Sequence, residues 1–250
     1  MDANVWLPAI TAVLAIAFFI LLLDQWRERR RAYQGVWALG ILFFGIAVAC
    51  EAIAAAAGWN EPIYLLWYLT GAVWTAGWLG LGNAFLLGRT RFGFAFALCL
   101  FFAGLFTFLT ARAEPEVYES AASTAMLYFL VALVLARAVS VETYFQTWRW
   151  PWMAFVGVAG ATVLSIVLVA MADLPAPGYS LDPETGVPTA ELLPPELRLL
   201  TPFMNVTGAF ALILGAMFSA YVFMPKKRVL AYNIDPNQPG DQFLFNLLIA

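Results

Sequence analysis

Apolar residues along the chain fall into seven long runs, and short polar stretches separate them. Each run is close to the roughly 20 apolar residues that a helix needs to cross the hydrocarbon core of a bilayer. Charged residues, proline or glycine bound every run. The pattern predicts an all-α integral membrane bundle of seven transmembrane helices, at about 5–23, 37–58, 62–87, 92–111, 121–139, 152–172 and 201–223.

Proline and capping residues mark the starts of three of these helices. Pro151 and Pro202 stand where a helix is predicted to begin, a position at which a missing backbone N–H costs nothing. Thr201 precedes Pro202, and Asn60 precedes the third helix, so Thr201 and Asn60 are predicted N-caps.

The basic residues of the loops give the orientation, because cytoplasmic loops carry an excess of lysine and arginine. When the loops are assigned alternately to the two sides, eleven of the 13 basic residues fall on one side, and Arg112 and Arg198 fall on the other. The eleven are Arg27, Arg29, Arg30, Arg31, Arg89, Arg91, Arg137, Arg149, Lys226, Lys227 and Arg228. The N-terminus is therefore predicted outside and the C-terminus inside.

The prediction divides the chain into a transmembrane domain over residues 1–228 and a cytoplasmic tail over residues 229–250. A proline-rich external loop over 173–200 is either a mobile connection or a lid over a pocket that opens to the outside. The tail ends in an apolar stretch, 243–250, that is too short to span a bilayer. That stretch lies on the inner membrane surface, or it begins an eighth helix.

Composition agrees with this class and excludes several kinds of chemistry. The chain is 63% apolar and 12% charged, whereas a soluble domain is about 45–50% apolar and about 25% charged. It contains no histidine, which excludes histidine-ligated haem or zinc and a Ser-His-Asp triad within the chain. Two cysteines cannot form a four-thiolate metal site. We expect no metal site and no cofactor, and an enzyme is the least favoured class.

Glu51 is the one acidic residue well inside a predicted span, about seven residues from the outer end of the second helix. A charge at the bilayer centre costs roughly 2.5–3.5 kcal/mol on insertion scales, so such residues are rare. Glu51 is either a proton, cation or ligand site, or a neutral acid hydrogen-bonded between helices. Polar residues predicted at similar depth, which together could line an outward-facing cavity, are Tyr68, Thr70, Thr107, Thr110, Tyr128, Asn205 and Thr207.

The third predicted helix is unusually rich in tryptophan and glycine. Trp67, Trp74 and Trp78 recur at helical spacing and form one stripe, and Tyr68 and Thr75 belong to a neighbouring stripe. The helix is either a tightly packed central helix or an aromatic wall for a planar or lipidic ligand. The candidate ligand-binding residues are Glu51, Tyr68, Trp74, Thr75, Trp78, Asn83 and Asn205.

The third and seventh helices align without gaps at an offset of 137 residues, which places Thr70-Gly71-Ala72 on Thr207-Gly208-Ala209. This match suggests a 3+1+3 helix plan, as in some parallel-repeat transporters. The alternative is coincidence, because small residues and basic inner ends are common to all membrane helices.

Two stretches, Leu66–Asn83 and Leu200–Ala209, resemble parts of an uncharacterised family of prokaryotic polytopic membrane proteins. The alternation of basic loops and apolar helices also resembles the seven-helix sensor regions that precede some bacterial histidine kinases. The resemblance implies a multi-pass protein of the bacterial inner membrane. It assigns no functional residue.

Three hypotheses of function follow. The first is a ligand-binding or sensory membrane module, the second a small-molecule transporter, and the third a structural subunit of a membrane complex. The expected partners are the lipid bilayer, a small hydrophobic or lipidic ligand and another membrane protein. The net charge of −3 is the sum of a basic inner and an acidic outer face, so it is no evidence for an acidic or a basic partner. No nucleic-acid partner is expected.

Overall fold

The computed structural model describes the backbone of residues 3–223 and the side chains of residues 5–221. The basic cluster 226–228 and the predicted tail 229–250 lie outside the described residues. The chain divides into two units, Met1–Gly215 and Ala216–Ala250. All contacts given below belong to the first unit, and the described part of the second is the end of a helix.

Most of the described residues are helical. In order, the elements are α1 (Ala3–Arg29), α2 (Ala32–Ala57), α3 (Glu61–Trp67), a π-helical segment (Tyr68–Trp74), α4 (Thr75–Leu86), α5 (Phe92–Ala113), α6 (Pro115–Tyr118), a 3-10 turn (Glu119–Ala121), α7 (Ala122–Tyr144), α8 (Trp150–Ala170) and α9 (Pro195–Phe223). Within residues 3–223 there is no β-strand, and the only β pairing there is an isolated bridge between Leu181 and Pro188. The predicted all-α fold class is confirmed.

Among the described residues, six helical stretches are long and apolar enough to cross a membrane. They are Val5–Arg29, Ala32–Ala57, Phe92–Ala113, Pro115–Tyr144, Trp150–Ala170 and Pro195–Tyr221. The third predicted helix, 62–87, is also helical, but the π-helical segment divides it into α3 and α4. We call residues 61–86 the third helical run.

Two of the predicted helix starts are confirmed and one is wrong. Asn60 caps α3, since its Oδ1 accepts a hydrogen bond from the Ile63 N–H at 3.1 Å, and Pro151 lies in the first turn of α8. The last helix begins at Pro195 rather than at 201, so the loop predicted to be external ends at residue 194. Thr201 is therefore no N-cap, and its hydroxyl donates to the Leu197 carbonyl within α9.

The third helical run lies at the centre of the first unit. α2 packs between α1 and α4, α4 also contacts α8, and α7 packs between α5 and α8. Close approach of α2 and α4 depends on glycine, because a Cβ at Gly40 would lie 2.7 Å from the Leu79 side chain. The Trp37 indole, which packs over Gly82, donates to the Leu79 carbonyl at 3.2 Å. Val73, Leu81 and other residues of the run are fully buried.

Candidate functional site

The π-helical segment Tyr68–Trp74 is the most unusual backbone feature of the third helical run. Its wider turn is closed by the N–H of Thr75, which donates to the Thr70 carbonyl five residues earlier. The Thr75 hydroxyl donates to the same carbonyl at 2.6 Å. Such segments are rare and occur frequently at functional sites. The candidate residues Tyr68, Trp74 and Thr75 lie at its two ends.

Glu51 reaches the third helical run through a tryptophan. The Trp67 indole N–H donates to Glu51 Oε1 at 2.8 Å, and both side chains are half-buried. The Trp67 ring stacks on Tyr64 and meets the edge of Trp59 at centroid distances of 6.3 and 5.7 Å. Glu51 is therefore hydrogen-bonded between two helices, and its donor is an indole rather than one of the hydroxyl or amide side chains predicted at similar depth.

Trp74 and Trp78 join the third helical run to α8. The Trp74 indole donates to the Ser165 hydroxyl at 2.8 Å, and the Trp78 indole donates to the Thr162 hydroxyl at 3.0 Å. On the other side, Phe43 of α2 meets both rings edge-on at 5.0 and 6.0 Å. These contacts are those of a packed central helix, and both indole N–H groups are hydrogen-bonded within the bundle.

The two candidate asparagines have different surroundings. Asn83 is buried, and its amide donates to the Ala211 and Leu212 carbonyls of α9 at 3.2 and 3.3 Å. Asn205 is half-buried on α9, and its side chain forms no hydrogen bond with the described residues. Five of the seven candidates thus lie in the third helical run, and Glu51 is hydrogen-bonded to that run through Trp67. The Asn205 side chain forms no hydrogen bond with the other candidates.

A cap, formed by the loop 171–194 and the first turns of α9, covers one end of the third helical run. The Tyr64 hydroxyl donates to the Thr189 carbonyl at 2.5 Å, and the hydroxyls of Tyr68 and Thr201 share a hydrogen bond of 2.7 Å. The Tyr128 hydroxyl of α7 donates to the Glu196 carbonyl at 3.2 Å. Three tyrosines therefore tie the cap to the helices beneath it.

The cap loop has internal order of its own. The backbone N–H groups of Thr185 and Glu184 donate to Asp182 Oδ1 at 2.9 and 2.8 Å, and these hydrogen bonds lower the pKa of the Asp182 carboxyl. The Thr189 and Ser180 hydroxyls bond at 2.8 Å beside the Leu181–Pro188 bridge. The loop is thus a folded turn whose shape depends on a carboxylate.

Two other threonines of the predicted cavity are buried without a partner. Among the described residues, the hydroxyls of Thr107 on α5 and Thr207 on α9 form no hydrogen bond. Helical threonines commonly donate to a carbonyl four residues earlier, as Thr110 does here. Thr107 and Thr207 therefore keep polar groups available inside the first unit.

Comparison with known proteins identifies no relative of the chain. It matches no protein-family model, no curated protein and no solved structure. The interpretation of its function therefore depends on its own residues and contacts.

Proposed function

We propose that the protein is a seven-helix, multi-pass protein of the bacterial inner membrane whose outer half binds a small hydrophobic or lipidic ligand as a sensory module. The N-terminus lies outside and the C-terminus inside. The observation that carries the ligand-binding role is the π-helical segment, which begins at Tyr68 under the cap and ends at Trp74, whose indole is hydrogen-bonded to α8.

Continuity of the third helical run supports the count of seven spans. Residues 61–86 are helical without interruption, and at about 1.5 Å per residue they extend for roughly 35 Å or more. That length exceeds the hydrocarbon core of about 30 Å. Together with the six long apolar stretches, the run makes an odd number of spans and places the termini on opposite sides.

The grouping of the loops supports the orientation. Ala32, Arg89 and Thr147, which come from three loops predicted inside, surround one cleft. The Arg198 guanidinium lies 5.2 Å from the Tyr118 ring, which joins two loops predicted outside, and Tyr64 at the predicted outer end of the third helix bonds to Thr189 of one of them. Basic residues concentrate at the end of the bundle that holds this cleft, which is the pattern of a cytoplasmic face.

We infer that the cap acts as a lid, since three tyrosine hydrogen bonds are its polar ties, and its opening would also expose Leu193, Leu197 and Leu199, which are 0–2% exposed. An interhelical hydrogen bond in a membrane protein contributes about 0.6 kcal/mol on average. Opening the cap above Tyr68 requires loss of the Tyr64–Thr189 and Tyr68–Thr201 hydrogen bonds. A ligand that replaces them with contacts to the π-helical segment would need to supply only about 1–2 kcal/mol for the polar part of the exchange.

The ligand is sought in protein purified from bacterial membranes in mild detergent, by native mass spectrometry and by analysis of extracted small molecules. We expect the wild type to retain an apolar molecule at a fixed ratio and Trp74→Ala to lose it. Trp6→Ala is the matched control, because Trp6 is exposed near the start of α1. Equal retention by all three proteins would refute the ligand-binding role.

Single cysteines test the orientation in a background in which Cys50 and Cys99 are replaced by alanine. Thr185→Cys lies in the cap loop and Glu28→Cys near the end of α1, and both positions are exposed. An impermeant maleimide added to intact spheroplasts should label position 185 and spare position 28. The reverse pattern would overturn the proposed topology.

A transporter is the second candidate, and the position of Glu51 inside α2 favours it. If Glu51 carries a proton or cation, liposomes that contain the wild type should show a proton flux in response to an imposed gradient, followed with an enclosed pH dye. Glu51→Gln should abolish that flux. Equal flux in the two proteins would exclude a role of Glu51 in transport.

A further inference from the structure

A cleft of about 570 Å³ lies at the opposite end of the bundle from the cap. Its lining comes from three places along the chain, namely Ala32 at the start of α2, Phe85 and Arg89 around the end of α4, and Trp148 and Trp152 around the start of α8. The cleft is separate from the candidate residues of the outer half. We call it the inner cleft.

The inner cleft has an unpaired positive charge at its edge. Arg89 is exposed, and no acidic side chain among the described residues forms an ion pair with it. The carboxylate of Glu142, near the end of α7, accepts a hydrogen bond from the hydroxyl of Thr147, which lines the cleft. Arg91 lies in the loop after α4 that carries Arg89, and Arg149 lies in the loop before α8. The net charge of these two loops is therefore positive.

Two helix N-termini add to this potential. α2 begins at Ala32 and α8 at Trp150, and neither has a side-chain N-cap. The dipole of each helix favours an anion at such positions, but few N–H groups remain free there, because Gln34 and Trp152 donate to the Arg31 and Arg149 carbonyls and Pro151 has no N–H. The inner cleft therefore combines the dipoles of two helices with the Arg89 guanidinium, a group that binds phosphate in a bidentate manner.

The rest of the lining is apolar and aromatic. Phe85 and Trp152 meet edge to face at 5.1 Å, and Pro151 packs against Gly88 so closely that a Cβ at Gly88 would lie 2.9 Å from the proline ring. Trp152 is 55% exposed. Exposed tryptophan beside arginine is typical of the level at which lipid headgroups meet the hydrocarbon core.

We propose that the inner cleft binds the phosphate group of an anionic phospholipid, with Arg89 as the phosphate ligand and with Phe85 and Trp152 against the adjoining apolar part of the lipid. Basic clefts between transmembrane helices on the cytoplasmic side bind anionic headgroups by the same principle. The assignment to the inner leaflet rests on the proposed orientation, whereas binding in detergent does not depend on it.

The test uses the full-length protein in detergent and native mass spectrometry. Phosphatidylglycerol and cardiolipin are titrated, with phosphatidylcholine as the zwitterionic comparison. Arg89→Gln removes the phosphate ligand, Arg89→Lys keeps its charge, and Arg91→Gln is a control that removes the same charge from the same loop outside the lining. A second arm adds inorganic phosphate at about 10 mM, a concentration on the order of the dissociation constant of a weak anion site. It measures whether phosphate raises the melting midpoint of the protein.

We expect Arg89→Gln to weaken binding of the anionic lipids about fivefold or more. Arg91→Gln should bind like the wild type, and Arg89→Lys should retain part of the affinity. Equal weakening by Arg89→Gln and Arg91→Gln would show a diffuse charge effect and overturn the site. Arg89-dependent stabilisation by inorganic phosphate without Arg89-dependent lipid binding would overturn the lipid assignment.

Discussion

Close packing of α4 against α9 through glycine gives the sharpest prediction on stability. A Cβ added at Gly208 would overlap the backbone carbonyl of Ala76 and lie 2.6 Å from the Gly77 nitrogen. From the other side, a Cβ at Gly80 would lie 2.7 Å from the Gly208 Cα. The atoms that would have to move are backbone atoms in two helices, so no side-chain rotation relieves the overlap.

The magnitude for Gly208→Ala follows from two opposing effects. Overpacking a well-packed contact typically costs about 1–3 kcal/mol, and contact with backbone places this site toward the upper value. Alanine recovers up to about 1 kcal/mol of helix propensity relative to glycine. The net loss is therefore about 2 kcal/mol, which for a chain of this length lowers the melting midpoint by roughly 4–8 °C.

Gly160→Ala is the matched control, because Gly160 lies within α8 and a Cβ there meets no atom within 4 Å. It gains helix propensity without overlap, so its midpoint should equal or slightly exceed that of the wild type. The midpoints are measured by far-ultraviolet circular dichroism in the same detergent. Gly80→Ala should behave like Gly208→Ala. Equal midpoints for Gly208→Ala and Gly160→Ala would refute the close approach of α4 and α9.

Three further changes test individual contacts. Asn83→Ala removes two hydrogen bonds to α9 and should lower the melting midpoint by about 2–4 °C; an unchanged midpoint would contradict the buried position of the amide. Trp67→Phe removes the indole N–H that donates to Glu51. In a double-mutant cycle with Glu51→Leu, the free energies of unfolding should show a coupling of about 1 kcal/mol between the two side chains. A coupling of zero would show that the contact is absent. Asp182→Ala should speed amide hydrogen exchange in the cap loop at neutral pH. The folded loop lowers the pKa of Asp182, so the protection that the carboxylate gives is complete above the ordinary pKa of 3.8 and is lost as the pH falls through the lowered pKa. Below that pKa the exchange rates of the two proteins should therefore be equal. A difference in rate that persists at lower pH would contradict a role of the carboxylate.

The sequence was sufficient for the helices but not for every boundary. Long apolar runs predict the helices because helix length and apolar composition are properties of single segments. The start of α9 was misplaced because Pro202 and Pro195 both resemble first-turn prolines. Pro195 is the actual start, since Leu197 and Leu200 are buried and favour extension of the helix over the segment that precedes Pro202.

The candidate site was predictable as a stretch of chain and not as a set of contacts. Tryptophan and threonine at helical spacing identify the third helical run, but a π-helical turn depends on a carbonyl shared by two donors of Thr75 and leaves no periodic signal. The indole partners also require tertiary structure, because Ser165 lies 91 residues from Trp74. The Trp67–Glu51 pair was the exception that spacing could have suggested, since only 16 residues separate the two.

Burial explains why the irregular backbone occurs in the third helical run. Other helices expose large apolar side chains, such as Leu7 at 67% and Val134 at 68%, whereas no residue of 67–86 in this run is exposed. In the proposed bilayer, no water is available to backbone groups at the lipid boundary, so irregular helix is tolerated only where protein surrounds it. The π-helical segment meets this condition because α2 and α8 pack against it. Polar substitutions in this run therefore change contacts inside the protein, which makes it the part of the bundle where ligand binding can be tested without altering membrane anchoring.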